Sequence, residues 1–206
     1  MLTATSQSLS QQDKDRIAFT ILAKYQRVAT SPEGQFRYPT GRAGLTGQNY
    51  PAHLLAQLPA EVQENFAGVG NPLSLGPVHA GEHVLDIGCG AGVDTLLAAL
   101  MTGPEGTATG LEYSPDMLAR ANANRTASNI TNATFHQGSA EALPFADASF
   151  HLVISSGVFN LVVDKEKALA EMYRVLKSGG RFQIADQMLT QTMGFTPRVN
   201  VESWFT

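Results

Sequence analysis

The residues best arranged for chemistry are two acids and three glycines. Asp86 closes a short apolar run, Val84-Leu85-Asp86-Ile87, and Gly88, Gly90 and Gly92 follow at every second position. Glycines so spaced make a turn in which bare backbone approaches a ligand closely. The spacing is G-x-G-x-G; the third glycine of the dinucleotide pattern G-x-G-x-x-G would fall at Val93. A pyrophosphate in this turn would be repelled by the Asp86 carboxylate, whereas an ammonium or sulfonium would be attracted. Glu112 ends the next apolar run, where an acid can take both hydroxyls of a ribose. The pattern therefore suits a zwitterionic, cationic nucleoside and disfavours a nicotinamide oxidoreductase.

The elements that must hold these residues alternate. Short apolar runs at 84–87, 108–112, 134–137, 150–155 and 181–186 read as strands. Val93–Met101, a segment opened by Ser114-Pro115-Asp116, and a segment from Asp164 to about Lys177 stopped by Ser178-Gly179-Gly180 read as helices. Such alternation predicts an α/β fold with a Rossmann-like, mostly parallel sheet and helices on both faces. Ligands of such sheets sit beyond the carboxyl ends of the strands. Residues 1–80 read as a helical and loop cap, and 81–206 as the ligand-binding domain. Within the cap, residues 1–12 are expected to fray. A helix follows from about Asp13, with Ile17, Ile21, Leu22, Tyr25 and Val28 on one face. Ser31–Tyr50 reads as an irregular loop, short helices are expected over 51–58 and 59–66, and a second loop runs to Pro77.

Composition bounds the function. Of 206 residues, 43% are apolar and 16% charged, as in a globular protein with a sizeable core, and the net charge is −4. Basic residues are scattered, so nucleic acid is not the expected partner. No apolar stretch is long enough to span a bilayer and none reads as a signal peptide, so no membrane partner and a cytoplasmic location are expected. Cys89 is the sole cysteine and the five histidines lack ligand spacing, so no metal site is expected.

Val84–Asp94 resembles the first motif of class I S-adenosylmethionine-dependent methyltransferases, and Gly110–Leu118 resembles their second. Gly138–Phe145 is similar to their adenine-side motif, and Arg174–Gly180 to the turn before their fifth strand. A narrower resemblance, to arsenite methyltransferases, is carried by Phe66–Pro72 and Ser155–Leu161. In that family cysteines that bind trivalent arsenic stand where this chain has Val69 and Gly157. The resemblance implies S-adenosylmethionine as cofactor, S-adenosylhomocysteine as product and a small-molecule acceptor. It implies that Asp86 and the backbone of Gly88, Cys89 and Gly90 hold the methionine end, and that Glu112 takes the ribose. Tyr113 and Met117 would flank the adenine, Ala140 and Glu141 would meet its edge, and Ser155 and Asn160 would line the passage to the acceptor. Tyr25 and Tyr38 are candidates for a lid over the acceptor.

A class I sheet has two further strands after the fifth, yet twenty residues follow Asp186. The sheet is therefore expected to lack its last two strands. An exposed edge on the fifth strand would invite self-association. A second reading follows, a truncated or catalytically silent cofactor-binding module.

Overall fold

The computed structural model describes residues 9–187. The first helix, α1 (Gln11–Thr30), starts two residues before the expected Asp13, because Ser10 and Asp13 form a capping box. The Ser10 hydroxyl accepts from the Asp13 amide at 3.2 Å, and the Asp13 carboxylate accepts from the Ser10 amide at 3.3 Å. Ser10 and the first turn of α1 are thus held by the cap rather than frayed, and residues 1–8 of that expectation lie outside the described residues.

The expected loop of 31–50 contains a helix, α2 (Gly41–Gly47). Its glycines hide it from a propensity reading, and packing explains them. A Cβ at Gly44 would lie 2.6 Å from the Pro39 carbonyl oxygen and 3.3 Å from the Phe66 ring. Leu45 beside it is fully buried. Two short helices, α3 (Ala52–Leu55) and α4 (Ala60–Gln63), follow as expected, and a 3-10 turn spans Pro72–Ser74.

Five strands and three helices then alternate: β1 (His83–Ile87), α5 (Val93–Thr102), β2 (Thr107–Glu112), α6 (Pro115–Ala127), β3 (Ala133–Gln137), β4 (Phe150–Ser156), α7 (Lys165–Val175) and β5 (Leu176–Ala185). The sheet order is β3-β2-β1-β4-β5, and all four pairings are parallel. The chain reverses direction across the sheet between β1 and β4, which places the switch point beside the glycine turn. The helix before β5 is two residues shorter than expected. The chain enters the sheet at Leu176, and Ser178–Gly180 sit in a bulge where the register jumps from Phe150–Leu176 to Leu152–Arg181. The expectation about two missing strands concerns residues 188–206, which lie outside the described residues.

Alternation along β1 assigns the two faces. Val84 packs with Leu152, Ile154, Leu96, Leu97 and, from the segment before β1, Leu45, Val62 and Phe66. Leu85 and Ile87 pack with Val153, Met172 and Val175 on the other face. The segment before Gly81 therefore shares one core with α5 and the sheet, and α1 closes over the glycine turn through Val28, Ala29, Ala91 and Met117. Among the described residues no helix is long and apolar enough to cross a membrane.

Candidate active site

A cavity of about 350 Å³ opens where the strands end, under α1. The β1–α5 turn forms its floor. Gly88, Gly90 and Gly92 all have positive φ, at 69°, 54° and 82°. The Gly88 and Cys89 amides donate to the Leu111 carbonyl at 2.8 and 3.0 Å, which pins the turn to β2. A Cβ on Gly88 would overlap the Val158 side chain, whereas one on Gly90 would meet only the Met117 methyl, at 3.4 Å. The turn thus has space at Gly90 and none at Gly88, which packs against Val158 in the cavity wall.

Three buried carboxyls, Asp86, Asp94 and Glu112, contribute to the wall. Neutral groups supply their hydrogen bonds. Asp86 accepts from the Thr95 hydroxyl at 2.6 Å, and Asp94 accepts from the Tyr50 hydroxyl at 2.6 Å. Glu112 accepts from the amides of Gly90 at 2.9 Å and Ser114 at 2.8 Å, so one side chain joins the glycine turn to the start of α6. Burial raises the pKa of all three, and the neighbouring Asp94 and Glu112 charges raise that of Asp86 further. Asp94 is pushed up to about 7 by burial, against the opposing effect of the Tyr50 hydrogen bond. Among the described residues no three His, Cys, Asp or Glu side chains are grouped to hold a metal ion.

Of the residues expected from the sequence, the cavity wall brings together Asp86, Gly88, Cys89, Gly90, Glu112, Tyr113, Met117, Ala140, Glu141 and Tyr25. Burial raises the Cys89 thiol above its usual range, so it is held neutral. Glu141 also joins two loops: one carboxylate oxygen accepts from the Val163 and Asp164 amides at 3.2 and 3.1 Å. Ser155, Asn160 and Tyr38 stand outside the wall. The Ser155 hydroxyl is buried and donates to the Ile87 carbonyl at 2.9 Å. Asn160 is exposed, and its amide faces Asp186 at 3.4 Å. Tyr38 donates to the Ala67 carbonyl at 3.1 Å and stacks on Phe36.

The sequence reading gave no role to Asp94 or Tyr50, nor to the apolar wall of Ile21, Phe66, Val158 and Leu161. Asp94 could have been found as an acid in the first turn of the helix that follows the glycines. Tyr50 carries no local signal. Val69 and Gly157 are brought together: a Cβ on Gly157 would lie 3.7 Å from that of Val69.

An all-parallel sheet of this order, a glycine turn at its switch point and acids at the ends of β1 and β2 define a class I S-adenosylmethionine-dependent methyltransferase. A family model for methyltransferase domains matches residues 78–204, and the chain belongs to that family, with arsenite-methyltransferase-like character. The arsenite methyltransferase of Halobacterium salinarum is 39% identical over 163 residues, which is 79% of this chain and 41% of that protein. The demethylmenaquinone methyltransferase of Listeria monocytogenes serotype 4a is 37% identical over 128 residues, 62% of this chain and 50% of that protein. Among solved structures, an arsenic(III) S-adenosylmethionine methyltransferase from Chlamydomonas reinhardtii is 35% identical, with a TM-score of 0.55 over 72% of this chain and 50% of that one. The chain thus spans half or less of the length of these relatives.

Proposed function

We propose that this chain binds S-adenosylmethionine in the cavity and transfers its methyl group to a small-molecule acceptor in the cytoplasm. The observation that carries this reading is the set of three buried carboxyls around an open glycine turn. Asp86 and Asp94 would meet the ammonium, and the backbone of Gly88, Cys89 and Gly90 would hold the methionine end. Glu112, fixed by two amides, keeps its remaining lone pairs for the ribose hydroxyls. Tyr113 and Met117 would flank the adenine, and Ala140 and Glu141 would border it. The cofactor supplies an electrophilic methyl on a sulfonium, so the chain's own task is to align an acceptor in a site shielded from water. Ile21, Tyr25, Phe66, Val158 and Leu161 would shield it. The lineage is that of arsenite methyltransferases, but Val69 and Gly157 offer methyl groups and backbone where thiolates would bind a metalloid. We therefore read the acceptor as one that brings its own nucleophile without protein thiolate ligands. Residues 1–80 would act as the cap over this site, and the β5 edge as a surface for self-association.

A catalytically silent binding module is the second reading. It draws support from Ser155 and Ser156, whose hydroxyls are both taken up by backbone carbonyls, of Ile87 and Gly70. One experiment separates the two. The chain is incubated with methyl-labelled cofactor and arsenite, selenite, thiols or small phenols. Label transfer to one acceptor class supports the enzyme. Cofactor binding without transfer to any of them supports the silent module, and no cofactor binding removes both.

A further inference from the structure

Tyr50 lies between α2 and α3, in the cap, yet its hydroxyl reaches the first turn of α5. It donates to Asp94 Oδ1 at 2.6 Å and lies 3.4 Å from the Gly70 carbonyl oxygen. Its ring packs edge-on against Phe66, with centroids 5.3 Å apart. Both partners matter to the cavity. Asp94 is one of its carboxyls, and Phe66–Gly68 form part of its wall. The neighbouring Gln48 amide donates to the Gly68 carbonyl at 2.7 Å, and the Ser156 hydroxyl donates to the Gly70 carbonyl at 2.9 Å. One phenol thus ties a carboxyl of the cationic-ligand end to the segment that walls the acceptor end.

We propose that Tyr50 is a positioning residue: its hydrogen bond keeps Asp94 in the ionised form that receives the cofactor's ammonium, and its contacts with Phe66 and Gly70 fasten the segment that carries the Phe66–Gly68 wall. This rests on the reading that S-adenosylmethionine binds in the cavity. The titratable groups that act on Asp94 are Tyr50 from the cap and Asp86 at the end of β1, and Cys89 and Glu112 line the same cavity. Burial and the neighbouring Asp86 disfavour a charge on Asp94, and Tyr50 is the hydrogen-bond donor that favours it. Below its titration point Asp94 must release a proton to receive a cation. Affinity for a cationic ligand then falls by up to about tenfold per pH unit. Removing the Tyr50 hydroxyl moves that titration point upward, so the loss of affinity begins at higher pH.

The test is calorimetric binding of S-adenosylhomocysteine, which carries the same ammonium, to the full chain from pH 6 to 9. For Tyr50→Phe, which keeps the ring on Phe66, we expect affinity reduced by about tenfold at pH 7 and within about twofold of wild type at pH 9. A purely structural loss would be the same at every pH. Asp94→Asn is the second arm: it should flatten the pH dependence near neutrality, and adding Tyr50→Phe to it should not restore a slope. Superimposable pH profiles for wild type and Tyr50→Phe overturn the proposal. So does an unchanged slope in Asp94→Asn, which decides the matter even if Tyr50→Phe fails to fold. Absence of binding by the wild type overturns the cofactor reading itself, a result distinct from both.

Discussion

The two ends of the cavity are built by different means. At the glycine turn, Asp86 to Asp94 supply the floor and two of the three buried carboxyls within one strand-to-helix connection, and Glu112 joins them from the neighbouring strand. At the other end, Phe66–Gly68 and Ser156–Val158 meet only through the fold. There the Ser156 hydroxyl accepts from the Val69 amide at 3.2 Å across 87 residues of sequence and donates to Gly70. The first end is polar, acidic and turned on glycines at positive φ; the second is mostly apolar, and its polar groups are engaged with one another. An end that selects by charge must place a few groups closely. An end that selects by shape can change its ligand through a few side chains.

The two ends touch at Gly88 and Val158, and the largest effect is expected there. Gly88→Ala adds a methyl at φ 69° against the Val158 side chain. Strain and overlap together should cost about 2–4 kcal/mol in urea unfolding and abolish cofactor binding. Adding Val158→Ala should return the overlap part and leave the strain. Full recovery would mean that backbone conformation is not what fixes the turn.

A smaller effect is expected at Glu112. Glu112→Gln keeps one acceptor oxygen but loses the charge and one of two amide partners, so cofactor affinity in calorimetry should fall about tenfold. An unchanged affinity would take the ribose away from this residue.

The next prediction contrasts the ends by pH. Asp94 titrates near 7 in the folded chain, well above the usual aspartate value of 3.8. Between these values the folded chain holds a proton that the unfolded chain has lost, so raising the pH favours unfolding. Its contribution to stability is full below about pH 4 and is lost as the pH rises through about 7. The melting temperature of the ligand-free protein should decline across this window, and Asp94→Asn should remove that part of the decline. Val158→Ala, at the apolar end, should leave the pH dependence unchanged.

The smallest effect on the cofactor is expected from Val158→Ala alone. Cofactor affinity should stay within about twofold while the KM for the acceptor shifts, because a cavity-lining methyl pair is lost without any charge. Equal effects on both ligands would merge the two ends into one.

The sequence made the first end readable because its determinants are local. A strand end, a glycine turn and an acid each have a chemical meaning at short range, and Asp86, Glu112 and the β-α alternation followed from them. Asp94 closes the Val84–Asp94 motif, but nothing local shows that its carboxyl is buried in the cavity wall. Tyr50 was out of reach because its partner lies 44 residues away. Helix α2 was missed for a related reason: its glycines look like a loop until Pro39 and Phe66 are seen against Gly44. Ser155, Asn160 and Tyr38 are placed at the site by resemblance, but the Ser155 and Tyr38 hydroxyls donate to backbone carbonyls and the Asn160 backbone amide faces the Asp186 carboxylate, partners that only the fold reveals.

The most direct test is a titration of S-adenosylmethionine into the full chain, wild type and Asp86→Asn side by side, followed by calorimetry and thermal unfolding. One saturable site is predicted for the wild type, with affinity about a hundredfold weaker in Asp86→Asn. The ligand-free variant should melt no lower than wild type, because its buried carboxylate is a cost in the absence of a cation. No saturable binding, or an Asp86→Asn protein that binds as wild type does, would contradict a cavity whose buried carboxyls receive the cofactor's positive charge.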